Sequence, residues 1–249
     1  MTTPPRAATR RPVPDTFFGG RMRGAYLLDL EVVAVDKLAE HVRSVTVASS
    51  DLVGFEYLPG QDLMIEFPGE QRPVHRRYTI RRADPGAGTA VLEMELHAGG
   101  GRATTWAARA TVGDRLRAMG PRGAITLRSG TSPSVFVGDD SAMPAVFALL
   151  DALPPGTAAT AVLVTPHGAG SRPAPAPDPM TSIVWADEDR LPEVLGGLSP
   201  GARAYVFGER GLVGRAVELL GGPDPERIAA KAYWRRDQAN AAHGEPLGE

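Results

Sequence analysis

Apolar and polar positions in the first half of this chain alternate with the period of a β-strand. Leu28-Asp29-Leu30-Glu31-Val32 alternates strictly, Val42 to Val47 is rich in β-branched residues, and Leu63-Met64-Ile65-Glu66-Phe67 lies between Pro59-Gly60 and Pro68-Gly69. Leu92 to Leu96 alternates again. Short strands at regular spacing, with Gly and Pro at the turns, predict a small antiparallel barrel. One helix interrupts it, from Arg102 to Ala110, after Gly99-Gly100-Gly101 and before Val112-Gly113-Asp114.

Past Ser129 to Pro133, which reads as an interdomain connection, the pattern becomes strand alternating with helix. Val135-Phe136-Val137 is an apolar strand that runs into Gly138-Asp139-Asp140-Ser141 and a helix from about Ala142 to Ala152. Ala159 to Val164, Ser182 to Trp185 and Ala204 to Phe207 supply further short strands, with helical stretches near Leu191 and from Leu212 to Leu220. This alternation predicts a parallel sheet covered by helices. The stretch His167 to Pro179 is rich in Gly and Pro and is expected to be a mobile loop. The expected organisation is therefore a flexible tail over 1–24, an antiparallel barrel domain over 25–128 and an α/β domain over 134–249.

Composition narrows the function. At 249 residues with 43% hydrophobic content the chain can fill two cores. A formal charge of -2 supplies no global field for nucleic acid or an anionic membrane, so neither is expected as a partner. The absence of cysteine excludes disulfides, thiol nucleophiles and cysteine-ligated iron–sulfur clusters. Redox chemistry would have to be carried by a bound cofactor. The first fifteen residues mix Arg, Pro and Thr with no apolar run, which reads as neither secretory signal nor membrane anchor, and a cytoplasmic location is expected.

The most informative cluster is Arg76-Arg77-Tyr78-Thr79-Ile80-Arg81. On a strand, Arg76 and Tyr78 share one face because side chains alternate with period two. Arg suits bidentate phosphate binding, Tyr stacks on an isoalloxazine, and Thr79 offers a hydroxyl to a flavin edge. Taken alone, the cluster reads equally well as a solvated basic strand end with a half-buried Tyr. A second phosphate-binding candidate is the glycine turn that opens the helix at Arg102, since backbone donors at a helix N-terminus bind phosphate without a positive side chain. Its alternative is an ordinary capped helix. Ala103 would keep the approach uncrowded, Thr104 and Thr105 add hydroxyls, and Trp106 is expected to be a core anchor. Gly138 to Ala145 repeats the device in the second half, with Pro144 tolerated in the first helical turn. The Gly-x-Gly-x-x-Gly dinucleotide fingerprint is absent there.

These pieces, in their order, carry a resemblance. Pro59-Gly60-Gln61, Arg76-x-Tyr78-Thr79-x-Arg81, His97 with Gly101-x-Ala103-Thr104-x-Trp106-Ala107, Gly113-Asp114, Gly120-Pro121-Arg122-Gly123, Gly138 to Ala145, Gly208-Glu209 and Tyr233-Trp234-Arg235-Arg236 span the chain from about Val32. Together they resemble the siderophore-interacting protein family, FAD-dependent ferric-siderophore reductases of ferredoxin-reductase-like fold. The resemblance implies an FAD-binding β-barrel followed by an NAD(P)H-binding α/β domain. It assigns FAD to Arg76, Tyr78, Thr79, Arg81, His97, Gly101, Ala103, Thr104 and Thr105, and a nicotinamide dinucleotide to Asp140, Ser141 and Glu209. Arg77, Arg235 and Arg236 become candidate contacts for an anionic chelate, with solvated surface charge as their alternative role.

The implied reaction passes electrons from NADPH or NADH through FAD to a ferric siderophore or ferric chelate, releasing iron in the cytoplasm. A nicotinamide delivers two electrons as hydride and ferric iron takes one, so a flavin is the natural converter. No side chain is expected to act as acid or base in the iron step, and none to hold a resident metal. Departures from the family pattern matter too. Met64 occupies a strand position where many relatives carry Lys, which argues against a catecholate preference. Thr165-Pro166-His167 and Arg172 stand where relatives commonly carry acids, which favours a 2′-phosphate and hence NADPH. Asp237 replaces a Gly expected after Trp234. A ferredoxin is a further candidate partner, as electron donor in place of the nicotinamide. Two other classes fit the same residues: a flavin reductase that feeds a separate partner protein such as an oxygenase, and an FAD-binding module without turnover.

Overall fold

The computed structural model describes residues 11–12, 26–69, 73–97, 99–130, 132–175, 178–198 and 201–236. The tail expected over 1–24 lies outside these residues except at 11–12, as does Asp237. Two compact units divide between Thr126 and Leu127. Among the described residues, no helix is long and apolar enough to cross a membrane.

The first unit is an antiparallel sheet built from β1 (Arg11–Pro12), β2 (Tyr26–Ala39), β3 (Val42–Ala48), β4 (Asp62–Phe67), β5 (Val74–Thr79), β6 (Arg82–Asp84), β7 (Thr89–Glu95) and β8 (Arg115–Arg122), with one helix, α1 (Arg102–Arg109). The strand order is β5-β4-β8-β2-β3-β7-β6, with β1 against β2, and the sheet curls into an open barrel in which β5 meets β7. Its interior is the alternating apolar set read from the sequence: Leu28, Leu30, Val32, Val45, Val47, Leu63, Ile65, Phe67 and Leu92 are all buried in one cluster. Trp106 packs on that cluster from α1 and touches Phe67 with ring centroids 5.4 Å apart, as a core anchor.

β8 was not legible in the alternation. Its first residues read polar-apolar-polar-apolar, but Gly120-Pro121 breaks the pattern, and Pro is normally a sheet-edge residue. The strand nonetheless lies between β4 and β2. Gly120 is required there by close approach: a Cβ would fall 2.4 Å from a Leu63 methyl and 3.1 Å from the Asp62 carbonyl oxygen.

The second unit is a five-stranded parallel sheet of β9 (Ser134–Asp139), β10 (Ala159–Val164), β11 (Thr181–Ala186), β12 (Arg203–Glu209) and β13 (Ile228–Trp234), ordered β11-β10-β9-β12-β13. Helices α2 (Met143–Asp151), α3 (Leu191–Gly196) and α4 (Arg210–Leu219) cover it. Near-continuous apolar runs such as Val135-Phe136-Val137 and Val162-Leu163-Val164 are fully buried because both faces of a parallel sheet are covered. One face stacks Phe136 on Tyr205 at 5.1 Å; the other packs Val135, Val137 and Val206 against Leu212, Val213 and Ala216 of α4. The chain leaves β9 for β10 and β11 on one side and returns to β12 on the other. The carboxyl ends of β9 and β12 therefore flank the switch in strand order, where open α/β sheets bind their ligands.

Candidate functional site

In the first unit the Arg-x-Tyr-Thr cluster lies on β5, an end strand of the sheet. The register pairs Arg76 with Ile65 and Tyr78 with Leu63, so both side chains share the face of β4's core residues. Tyr78 is half-buried and meets Phe67 edge-on at 5.9 Å, while Phe67 in turn contacts Trp106. This aromatic row fixes the Tyr78 ring and staples α1 to the sheet beside β5. Burial raises the Tyr78 hydroxyl pKa well above its ordinary value, outweighing the nearby Arg76 charge, so the ring stays neutral at any working pH. Arg76 is half-buried and donates to the His75 carbonyl at 2.8 Å. Thr79 is buried at the end of the strand.

Helix α1 begins with Gly101 as its N-cap, in extended conformation and without a side-chain cap. No acidic residue lies in its first turn, and a Cβ added to Gly99, Gly100 or Gly101 would meet nothing within 4 Å. Uncapped amides, an open approach and no repelling charge make a fitting phosphate cradle. Ala103 is buried, Thr104 half-buried and Thr105 exposed. His97 is exposed, 3.3 Å from the Glu95 carboxylate. The residues on β5 and α1 therefore fit an FAD: a cation, a held aromatic ring, a hydroxyl and a helix N-terminus without a side-chain cap belong to one unit.

Two arginines of the cluster do something else. Arg77, expected as a chelate contact, points to the opposite face of β5 and grips buried Asp62 through both Nε, at 2.9 Å, and Nη2. Arg81 is buried, 3.4 Å from the Glu93 carboxylate, so it lies neither on the surface nor open to a dinucleotide. Beside the Arg77–Asp62 pair, Arg122 donates to the Met64 sulfur at 2.9 Å; burial, reinforced by the Arg77 charge, lowers its pKa. Met64 continues with Met119 and Leu27 into a cavity of about 370 Å³ on this outer face, rimmed by Arg11–Asp29 and Arg117–Glu66 ion pairs.

In the second unit the residues at the carboxyl edge of the sheet mostly hold one another. Asp139, the last residue of β9, was not singled out in the sequence, yet it organises the edge. Its Oδ1 accepts from the Ser141 hydroxyl at 2.6 Å and the Ala142 amide at 3.2 Å; its Oδ2 accepts from the Glu209 amide at 2.7 Å and the Trp234 indole at 2.9 Å. Gly208 makes room for it: at φ +127 a Cβ would come within 2.7 Å of the carboxylate. Nothing but three-dimensional proximity reveals this role, because the donors come from three separate segments.

Glu209 is the N-cap of α4 and accepts from the Gly211 and Leu212 amides at 2.6 and 3.1 Å, and through its other oxygen from the Arg236 amide at 3.1 Å. Burial acts to raise its pKa, but the three backbone donors and the Arg236 charge outweigh that and hold it below the ordinary carboxylate value. Asp140 is buried, bonded by the Thr165 hydroxyl at 3.0 Å, with Arg172 3.6 Å from its carboxylate and donating to its carbonyl at 3.1 Å. Arg172 is only 2% exposed. The expectation that it meets a 2′-phosphate is thereby corrected: the 165–175 loop uses its arginine as an anchor into the sheet edge. The carboxylates of Asp140 and Glu209 likewise face the protein, and backbone is what remains of them for a ligand. Arg235 and Arg236 are exposed, with Arg236 paired to Glu188 at 3.2 Å.

Comparison with known proteins follows the same two-part division. Residues 58–125 match the siderophore-interacting FAD-binding domain and residues 131–237 match the siderophore-interacting protein family. An uncharacterized protein of Mycobacterium tuberculosis is 32% identical over 158 residues, covering 54% of this chain and 56% of the relative. The ferric vibriobactin reductase ViuB of Vibrio cholerae is 27% identical over 145 residues, covering 50% of this chain and 54% of the relative. The chain thus aligns with about half the length of these curated relatives. Among solved structures, the siderophore-interacting protein SipS from Aeromonas hydrophila superposes with a TM-score of 0.74 at 24% identity, covering 86% of this chain and 93% of that one. With both halves matched in order and the fold shared, the chain belongs to the siderophore-interacting protein family.

Proposed function

We propose that this protein is an FAD-dependent reductase of ferric siderophores or related ferric chelates, drawing electrons from NADPH or NADH and releasing iron in the cytoplasm. The observation that carries the reading is the gathering in one unit of Arg76 and Tyr78 on one face of β5, Thr79 at the end of that strand, and the uncapped, glycine-opened N-terminus of α1. The Arg76 guanidinium and the first-turn amides of α1 would hold the pyrophosphate, with Thr104, Thr105 and His97 as further contacts. The Tyr78 ring, held by Phe67, would supply an aromatic face for the flavin and Thr79 a hydroxyl. When bound, FAD accepts a hydride from a nicotinamide and passes electrons on singly, which ferric iron requires.

The carboxyl edge of the parallel sheet supports the nicotinamide half of the reading through its position at the switch in strand order, and through Ser141 and the backbone of Asp140 and Glu209. The cations on the outer face of β5, β4 and β8 are largely matched by carboxylates, and Met64 with Met119 gives that face an apolar floor. This favours a weakly charged ferric hydroxamate over a polyanionic catecholate. Loss of iron after reduction follows from the chelate, because hard oxygen donors prefer the ferric ion.

The test is an anaerobic absorbance titration of the purified protein with NADPH or NADH, followed by a ferric hydroxamate. Bleaching of the flavin bands by the nicotinamide, and their stoichiometric return with ferrous release, is the expected result. A colourless protein that takes up no FAD overturns the proposal. A flavoprotein that reduces a ferredoxin or an oxygenase component far faster than any ferric chelate would assign it to electron delivery instead.

A further inference from the structure

Trp234 is the aromatic residue among the large apolar side chains that stand exposed in the described residues; 40% of its surface is accessible. Its neighbour Tyr233 turns inward onto Phe207, with ring centroids 5.6 Å apart. The Trp234 indole N–H is bonded at 2.9 Å to Asp139 Oδ2, the oxygen that also receives the Glu209 amide at 2.7 Å. A bulge between Gly208 and Glu209 shifts the β12–β13 register so that Trp234 stands directly opposite Glu209. An aromatic residue that merely filled the core would be buried, and an incidental surface one would have no reason to be tied to this carboxylate. Here the indole N–H is tethered to Asp139 while 40% of the residue's surface stays accessible, at the carboxyl end of the sheet beside the strand-order switch.

We infer that Trp234 is the stacking platform for the nicotinamide ring of the electron donor, an assignment that rests on the nicotinamide-dependent reading above. The side of the sheet selects which half of the dinucleotide it meets. Trp234 lies on the β12–β13 side of β9, with Glu209; the adenosine half would run towards the loop after β10, where Arg172 is anchored. The nicotinamide is planar and becomes a cation on oxidation, and an indole face is the best side-chain surface for both properties. Asp139 is then a positioning residue: it aims the ring without touching the ligand.

The experiment compares full-length FAD-loaded wild type with Trp234→Ala and Trp234→Phe in titrations with NADPH and NADH, following tryptophan emission and flavin reduction. Trp234→Ala is expected to weaken donor binding about tenfold, the scale of one aromatic stacking contact, with FAD content and iron reduction driven by dithionite unchanged. Trp234→Phe keeps a ring and should recover most of the affinity. The part of the donor-induced quenching that belongs to Trp234 should disappear in both variants, which a merely structural role would not produce. Wild-type donor affinity and undiminished quenching in Trp234→Phe overturn the inference even if the Ala variant misfolds. Binding of neither dinucleotide by the wild type overturns it together with the donor assignment, whereas normal flavin reduction in all three proteins overturns it alone.

Discussion

The β5 strand of the antiparallel unit and the β9–β12 edge of the parallel unit each gather several polar side chains, and they use them in opposite ways. On β5, Arg76 and Tyr78 share one face and stay only half-buried, with Thr79 at the strand end, while ion pairing falls to Arg77 on the opposite face and to Arg81 beyond the strand. At the β9–β12 edge the charged groups face inward. Asp139, Asp140, Glu209 and Arg172 bond one another's loops and leave little charge for a ligand. In the proposed function the first region binds with side chains supported by a strand. The second spends its side chains on holding loops, so recognition there is proposed to fall to backbone and to Trp234.

The contrast is broken most severely at Asp139. Asp139→Ala removes the acceptor of the Glu209 amide, the Ser141 hydroxyl and the Trp234 indole, at about 1–3 kcal/mol for each donor shut off from water, and should lower the unfolding free energy of the parallel unit by about 2 kcal/mol or more in urea titrations. If the loss is under about 1 kcal/mol, the carboxylate is not the organiser described. Next come the adjacent arginines of β5. Arg76→Ala should reduce FAD affinity at least about tenfold, the worth of a charge-assisted hydrogen bond, with little change in melting temperature. Arg77→Ala should do the reverse, costing about 2–3 kcal/mol of stability by stranding buried Asp62; equal loss of FAD in both would show the face assignment to be wrong.

Arg172→Ala sharpens the comparison on the other unit. It should destabilise by about 1–3 kcal/mol, the cost of unpaired buried polar groups, while the ratio of kcat/KM for NADPH to that for NADH stays put. A collapse of NADPH preference would return Arg172 to the ligand. The smallest effect is the titration of Glu209. Its folded pKa is depressed, so its contribution is present above the unfolded carboxylate value and fades as pH falls through the folded one. Stability measured from neutral to acid pH should therefore fall less steeply in Glu209→Gln than in the wild type.

Legibility differed by element for physical reasons. β3, β4, β7 and β10 were legible because one or both faces are buried and the apolar period survives in the residues themselves. β8 was hidden by Gly120-Pro121, and β13 by Ala229, Ala230 and Ala232, small residues with little strand preference that are held by pairing with β12. The described residues of the loop expected over His167 to Pro179 form neither helix nor strand, but the Arg172 anchor to Asp140 spans thirty-two positions that no local pattern connects.

The sequence by itself determined the two-part architecture, the Arg-x-Tyr-Thr strand and the glycine-opened helix, because each depends on side-chain period or on turn chemistry within a few residues. Tertiary structure alone decided which charges remain for a ligand. A carboxylate or guanidinium is equally polar in sequence whether it meets solvent, a cofactor or a buried partner from a distant segment. Only the folded chain brought Asp62 to Arg77, Asp140 to Arg172, and Asp139 to the amide of Glu209 and the indole of Trp234.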